Sequence, residues 1–191
     1  MSFNDYKYLI RSDLYRYTGR VDRDTCWHNL FYNPGFQYTF WMRTCHYLYF
    51  LKRGKYLALR IPLVILKHYT FKYGISIPFT TQIGSGFYIG HFGCIVVHRD
   101  AKIGKNCNIS QGVTIGIANR GNRKGCPVIG DNVYIGPGAK IIGGINVGND
   151  VAIGANCVVT KDVPDRSVVV GIPGRVISEE GSTGYINRTD Y

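Results

Sequence analysis

Residues 129–159 read IGDNVYIGPGAKIIGGINVGNDVAIGANCVV, and a branched aliphatic residue returns at every sixth position: Ile129, Ile135, Ile141, Val147, Ile153 and Val159. The same period runs upstream through Ile103, Ile109 and Ile115, and before that through Ile77, Ile83, Ile89 and Ile95. Neither an α-helix, with its period of 3.6, nor an antiparallel strand, with its period of 2, produces a sixfold return. A hexad is the mark of a parallel β-helix, each hexad being one flat side of a coil. Four positions after the aliphatic residue comes a second inward slot with a small or medium side chain: Cys107, Val113, Val133, Ala139, Ile145, Val151 and Cys157. Corner residues Gly104, Asn106, Asn132, Gly148, Asn149, Gly154 and Asn156 suit turns that need positive φ. Three hexads per coil predict a triangular prism whose coils stabilise one another by stacking.

Two steps break the register. Ile95 to Ile103 is eight residues, and Ile115 to Ile129 is fourteen; each is two over a multiple of six. The second excess coincides with the polar, basic, Gly-containing segment Ala118–Gly125, read as a loop (117–127) projecting from the prism. Loops that interrupt a regular scaffold are where binding and catalysis concentrate.

The 191 residues make one domain with an extension, and 45% hydrophobic content supports a core. Met1–Arg11 has no apolar centre of a signal peptide, and the most apolar stretch, Ile61–Leu66, is far short of a membrane span. Six cysteines without CxxC or zinc-ligand spacing fit reduced thiols in a bacterial-type cytoplasm and predict no metal. The net charge is +11, of which residues 1–75 carry +8. Such a basic segment suits an anionic ligand or a peripheral contact at the inner membrane surface around Tyr47, Tyr49, Phe50, Lys52 and Arg53. Nucleic acid is not expected, because no recognition motif accompanies the charge.

Residues 1–75 lack the hexad and read as helical. Asn33-Pro34 predicts a helix start, with an end near Lys52 and Gly54; a second helix is expected from Tyr56 to Lys72, with Pro62 kinking it or resetting its start and Gly74 ending it. Such helices would cap the open end of the prism. The tail, 178–191, has a composition that suggests mobility.

Five histidines are candidates for proton transfer. His28, His46 and His68 fall in the helical segment, where packing is the default reading; His98 falls in the first register break. His91, directly after Ile89-Gly90, sits at a corner of a rigid coil, as a well-positioned base should. The absence of a GxSxG elbow, a P-loop and a GxGxxG fingerprint argues for direct transfer between two bound substrates.

From about Asn33 to Ile177 the chain resembles the hexapeptide-repeat acyltransferases, in particular their serine acetyltransferase branch. The residues that carry this are Asn33-Pro34-Gly35-Phe36 with Tyr47-Leu48, Gly90-His91-Phe92-Gly93 with Ile95-Val96-Val97, Ser110–Gly116, Ile135–Lys140 and Val170–Val176. The resemblance implies a mainly β protein built on a left-handed parallel β-helix, an exception to the right-handed crossover rule. It implies a homotrimer with active sites between subunits, acetyl-CoA as donor, His91 as base and backbone N–H groups holding the oxyanion. It places coenzyme A along the coils near Gly116, Pro137 and Ala155, with Lys161 or Arg175 on its phosphates.

The chain departs from that branch at three points. Serine acetyltransferases carry Asp directly before the histidine, where this chain has Gly90. They carry a second histidine before a proline in the projecting loop, where this chain has Cys126-Pro127, and their N-terminal helical domain is longer. Cys126 is then expected to be a redirected substrate contact, and Asp22 or Asp24 the partner of a substrate ammonium. These departures, with the basic N-terminal segment, resemble capsule and exopolysaccharide O-acetyltransferases. A sugar hydroxyl is therefore the expected acceptor, with serine O-acetylation as the alternative and a silent scaffold as a third reading.

Overall fold

The computed structural model describes residues 1–51 and 55–191, with the side chains of 55–57 left aside. Four helices, α1 (Phe3–Thr18), α2 (Arg23–Tyr32), α3 (Pro34–Phe50) and α4 (Lys55–Tyr73), precede fifteen short strands. These are β1 (Ile75–Ser76), β2 (Gln82–Ile83), β3 (Tyr88–Ile89), β4 (Ile95–Val97), β5 (Lys102–Ile103), β6 (Asn108–Ile109), β7 (Thr114–Gly116), β8 (Val128–Ile129), β9 (Tyr134–Ile135), β10 (Lys140–Ile142), β11 (Asn146–Val147), β12 (Ala152–Ile153), β13 (Val158–Val159), β14 (Val168–Val170) and β15 (Arg175–Ser178). The helices are 10 to 19 residues long and the strands 2 to 4, so "mainly β" overstates the strand content. Much of each hexad is corner rather than strand.

The strands form three sheets. The first is β1-β4-β7-β10-β13, the second β2-β5-β8-β11, and the third β3-β6-β9-β12-β14-β15. All pairings are parallel except β14 with β15. Consecutive coils meet at 18 residues where the hexad is unbroken, as in Val128↔Asn146. The first coil takes 20, Gln82↔Lys102, and the coil carrying the loop takes 26, Lys102↔Val128. Both inserts leave the paired register intact. The inward slots are closed: Ile95, Ile115, Ile141 and Ile153 are fully buried, as are Cys107, Val113, Val133, Ala139, Val151 and Cys157.

The corners split into two kinds. Asn106, Asn132 and Asn156 have positive φ as expected, joined by Asp150. Asn106 Nδ2 donates to Asn132 Oδ1, and Asn132 Nδ2 to Asp150 Oδ1, each at 2.9 Å, a ladder running from coil to coil. Gly104, Gly148, Gly154 and Asn149 are not left-handed. Gly104 and Gly148 are required by close approach instead: a Cβ would lie 2.5 Å from the Gly130 carbonyl oxygen at Gly104 and 2.6 Å from Asp165 N at Gly148, whereas at Gly154 it would press only on the Val170 side chain.

The helical segment has four helices where two were expected. Asn33 does cap α3, its side chain accepting from Phe36 N–H at 3.2 Å, and Gly74 ends α4 at φ +60. Pro62 lies inside α4 rather than at its start. The expected stop at Lys52 and Gly54 lies outside the described residues. Polar anchors join α1 and α3 to the first coil. Arg43 pairs with Asp13 at 3.0 Å, both side chains buried, and also donates to the Ile83 and Gly84 carbonyls at 2.6 Å each. Asp13 accepts in turn from Phe87 N–H at 2.8 Å. Burial pushes the Asp13 carboxyl up, against the pull of Arg43.

The tail, expected to be mobile, is packed. Tyr185 stacks on Tyr134 with ring centroids 4.5 Å apart. The Tyr191 hydroxyl reaches Ser85 Oγ at 2.9 Å and Asn106 Oδ1 at 2.7 Å. Its two aromatic anchors outweigh its polar composition. Among the described residues, no helix is long and apolar enough to cross a membrane.

Candidate active site

His91 is exposed, two residues beyond β3 on the edge where the third sheet turns into the first. The turn is held from both sides. The Tyr17 hydroxyl accepts from Ile89 N–H at 3.0 Å and donates to the Ile89 carbonyl at 3.3 Å. Burial pushes the Tyr17 phenol well above its ordinary value, which keeps that proton in place. Gly35, in the first turn of α3, lies so close to the Ile89 carbonyl that any side chain would collide with it. Beyond His91, Gly93 and Cys94 take φ of +114 and +53, and Ile95 N–H closes the turn onto the Gly74 carbonyl at 3.0 Å. Phe92 lies against Tyr73, with ring centroids 5.2 Å apart. The backbone that carries His91 is thus held on both sides, and its imidazole is exposed, where an incoming substrate can reach it.

The corners stacked on this edge are joined by backbone bonds of 2.8 Å: Gly112 N–H to Gly93 O, Gly138 N–H to Gln111 O, and Asn156 N–H to Pro137 O. Pro137 and Ala155 therefore share the edge of His91. Gly116 and Lys161 do not. They lie on the edge where the first sheet turns into the second, across the width of the first sheet. Arg175 opens β15 and meets Lys161 in a cleft of about 370 Å³ that also takes in Asp162, Pro173 and Gly174. The residues expected to line one donor groove thus occupy two edges of a single chain. The sequence period places residues on coils, and only the sheet order says which edge each corner joins.

The loop 117–127 keeps an exposed tip, residues 119–124, while its returning arm packs on the prism. Ala118 and Gly125 exchange backbone bonds of 3.0 Å, closing a hairpin along the second edge. Gly144 N–H donates to the Arg123 carbonyl at 2.9 Å, and Arg123 reaches Asp162 at 2.8 Å. Gly143 and Gly144 make room for it: a Cβ on Gly144 would come within 2.5 Å of the Lys124 carbonyl oxygen. Exposed Arg120, Arg123, Lys124 and Lys161 make this edge basic.

At the base of the hairpin, Cys126 Sγ lies 3.1 Å from His98 Nδ1, and Asp100 Oδ2 lies 3.7 Å from the same nitrogen. Burial, then the Asp100 charge, pushes the Cys126 thiol up. In the sequence His98 is one candidate histidine among five and Asp100 is not singled out; the eight-residue step at Ile95–Ile103 is the signal that marks them both. Asp22 is elsewhere. Its carboxylate caps α2, accepting from Thr25 N–H at 2.9 Å and Thr25 Oγ1–H at 2.7 Å, bonds that lower its pKa. Each oxygen accepts one bond from the cap, and the carboxylate is otherwise exposed, with acceptor capacity left on both oxygens.

Comparison with known proteins accords with this architecture. Residues 126–161 match the family model described as bacterial transferase hexapeptide (six repeats). The serine acetyltransferase of Synechococcus elongatus is 38% identical over 151 residues, which cover 78% of this chain and 59% of that protein. The chain thus spans about three fifths of the length of the curated relatives it matches. Among solved structures, the serine acetyltransferase of Brucella abortus in complex with coenzyme A superposes with a TM-score of 0.78 at 30% identity, over 94% of this chain and 70% of that one. The Neisseria gonorrhoeae serine acetyltransferase in complex with serine gives 0.73 at 28%, over 93% and 71%. These relatives overturn the expected placement beside capsule and exopolysaccharide enzymes, and with it the sugar acceptor. Gly90 and Cys126 are departures within the serine acetyltransferase likeness rather than evidence of another branch. Matched on that scale, the chain belongs to the hexapeptide-repeat transferase family, with serine acetyltransferases as its relatives.

Proposed function

We propose that the chain is an acetyl-CoA-dependent serine O-acetyltransferase working as a homotrimer on a left-handed β-helix. The observation that carries this reading is the likeness to serine acetyltransferases across nearly the whole chain, with His91 exposed on a backbone turn that is held from both sides. The His91 imidazole takes the proton of the serine hydroxyl as that oxygen attacks the thioester carbonyl. Collapse of the tetrahedral intermediate leaves the acetyl ester and expels the coenzyme A thiolate, which receives the proton. No covalent intermediate on the protein is needed, and Cys126 is not the nucleophile.

The division of the site between two edges favours a trimer. Val96 on the first sheet, Ile117 at the second edge and Val128 on the second sheet expose apolar surface. A second copy seated there would bring its His91 edge against the basic hairpin and the cleft of Lys161 and Arg175, where phosphate groups are matched by charge.

The test is free-thiol release from acetyl-CoA by the purified full chain, with and without L-serine. Serine-dependent release should fall by about 10²–10⁴ in His91→Ala, the usual weight of a general base. Release that is indifferent to serine, or that survives in His91→Ala, would overturn the reading.

A further inference from the structure

We infer that His98, Asp100 and Cys126 form a binding site for a borderline-soft divalent cation, Zn²⁺ by its chemistry. The inference holds whether or not serine is the acceptor. It rests on three donor atoms of different kinds, a thiol sulfur, an imidazole nitrogen and a carboxylate oxygen, all within 4.8 Å of one another. Tetrahedral zinc would set its sulfur and nitrogen ligands about 3.6 Å apart and its nitrogen and oxygen ligands about 3.4 Å apart. The corresponding separations here are 3.1 and 3.7 Å. Small rotations of exposed side chains close both differences.

The imidazole is set for this. Asp100 N–H donates to His98 Nδ1 at 3.2 Å, so that nitrogen carries a lone pair, and the lone pair faces the cluster. A cation would take the place of this bond and of the thiol contact that Cys126 Sγ makes with the same nitrogen at 3.1 Å. The backbone on each side is fixed as well. His98 N–H donates to the Ile115 carbonyl at 2.8 Å, Ala101 N–H to the His98 carbonyl at 3.1 Å, and Lys102 N–H to the Pro127 carbonyl at 3.1 Å. Two chain segments 28 residues apart are thereby held at ligand distance before any ion arrives. His98 and Cys126 are half-buried and Asp100 is exposed, which leaves a fourth position open to water. Thiolate with imidazole selects zinc and its neighbours over magnesium or calcium, which prefer all-oxygen sites. Binding converts the Cys126 thiol to a thiolate and releases its proton to solvent; nothing is oxidised or reduced. The bound ion would clamp the base of the hairpin to the corner after β4.

Cobalt(II) tests this with no acetyl-CoA or serine present, so its outcome is separate from that of the acetyl-transfer reading. Titration of the reduced full chain should produce a thiolate-to-cobalt charge-transfer band saturating at about one ion per chain, and Zn²⁺ should abolish it. Cys126→Ser should remove the band. His98→Ala should weaken binding at least tenfold, and Asp100→Asn should weaken it less. Cys94→Ser, which removes an exposed thiol outside the cluster, should leave the band unchanged. Absence of the band in the unmodified chain, its survival in Cys126→Ser, or its loss in Cys94→Ser would each overturn the inference.

Discussion

Gly104 and Gly90 follow the same type of inward isoleucine, yet the fold needs them differently. Gly104 sits in a column with Gly84 and Gly130, where successive backbones pass so closely that a methyl group would press on a carbonyl. Neither chain can retreat, because each is held in the ladder by bonds such as Gly104 N–H to Ile129 O at 2.9 Å. Gly104→Ala should therefore cost about 1–3 kcal/mol, the range for overpacking, read as a lower urea midpoint at an unchanged slope. Gly90 has ordinary φ, and its Cβ would meet only the edge of the Tyr88 ring at 3.2 Å. Gly90→Ala should leave the midpoint nearly unchanged, so the backbone does not exclude the aspartate that the branch carries before its histidine. The hexad made both glycines visible in the sequence. It could not separate them, because contact between coils joins residues 18 to 26 apart and leaves no local trace. For the same reason Gly148 reads as a positive-φ corner when crowding is what requires it.

At the scale of the element, the 117–127 hairpin was legible as an insertion from its fourteen-residue step, and its composition marked it as exposed. Its course was not legible. Its returning arm lies down because Gly143-Gly144 in the next coil leaves a trough beneath it, a pairing the sequence does not announce. The contact of Cys126 with His98 was hidden for a related reason: it follows from the Lys102–Pro127 backbone bond, which depends on how many residues each coil consumes. The ion pair of Arg123 with Asp162 is exposed and contributes little. The backbone bond to Gly144 and the close fit above it therefore hold the hairpin down. Gly144→Ala should lift it while leaving the sheet ladders in place. Trypsin should then cut faster at Arg120, Arg123 and Lys124, with the thermal midpoint almost unmoved. Equal lowering of both would show instead that the hairpin is part of the cooperative core.

At the scale of the whole molecule, the helical segment is a support for the His91 turn as well as a cap. The same two helices that bury Asp13 and Arg43 also deliver Tyr17 and Gly35 to Ile89, two residues before His91. The tail adds a tie from the far end of the chain, through Tyr191 to Ser85 and Asn106 and through Arg188 to the Tyr17 carbonyl. Asp13→Ala would leave Arg43 buried and charged without its partner, which costs about 3–5 kcal/mol. Replacing both, as Asp13→Leu with Arg43→Met, removes the stranded charge and should recover much of that loss. Stability and catalysis should then part. The double variant restores packing but omits the Arg43 bonds to Ile83 and Gly84 and the Asp13 bond to Phe87, which fix the chain leading into β3. Its melting temperature should approach that of the unmodified chain, while turnover with acetyl-CoA and serine stays reduced and the serine KM changes little. That pattern marks the polar anchors as positioning groups for His91. Full recovery of turnover along with stability would show that they serve folding alone.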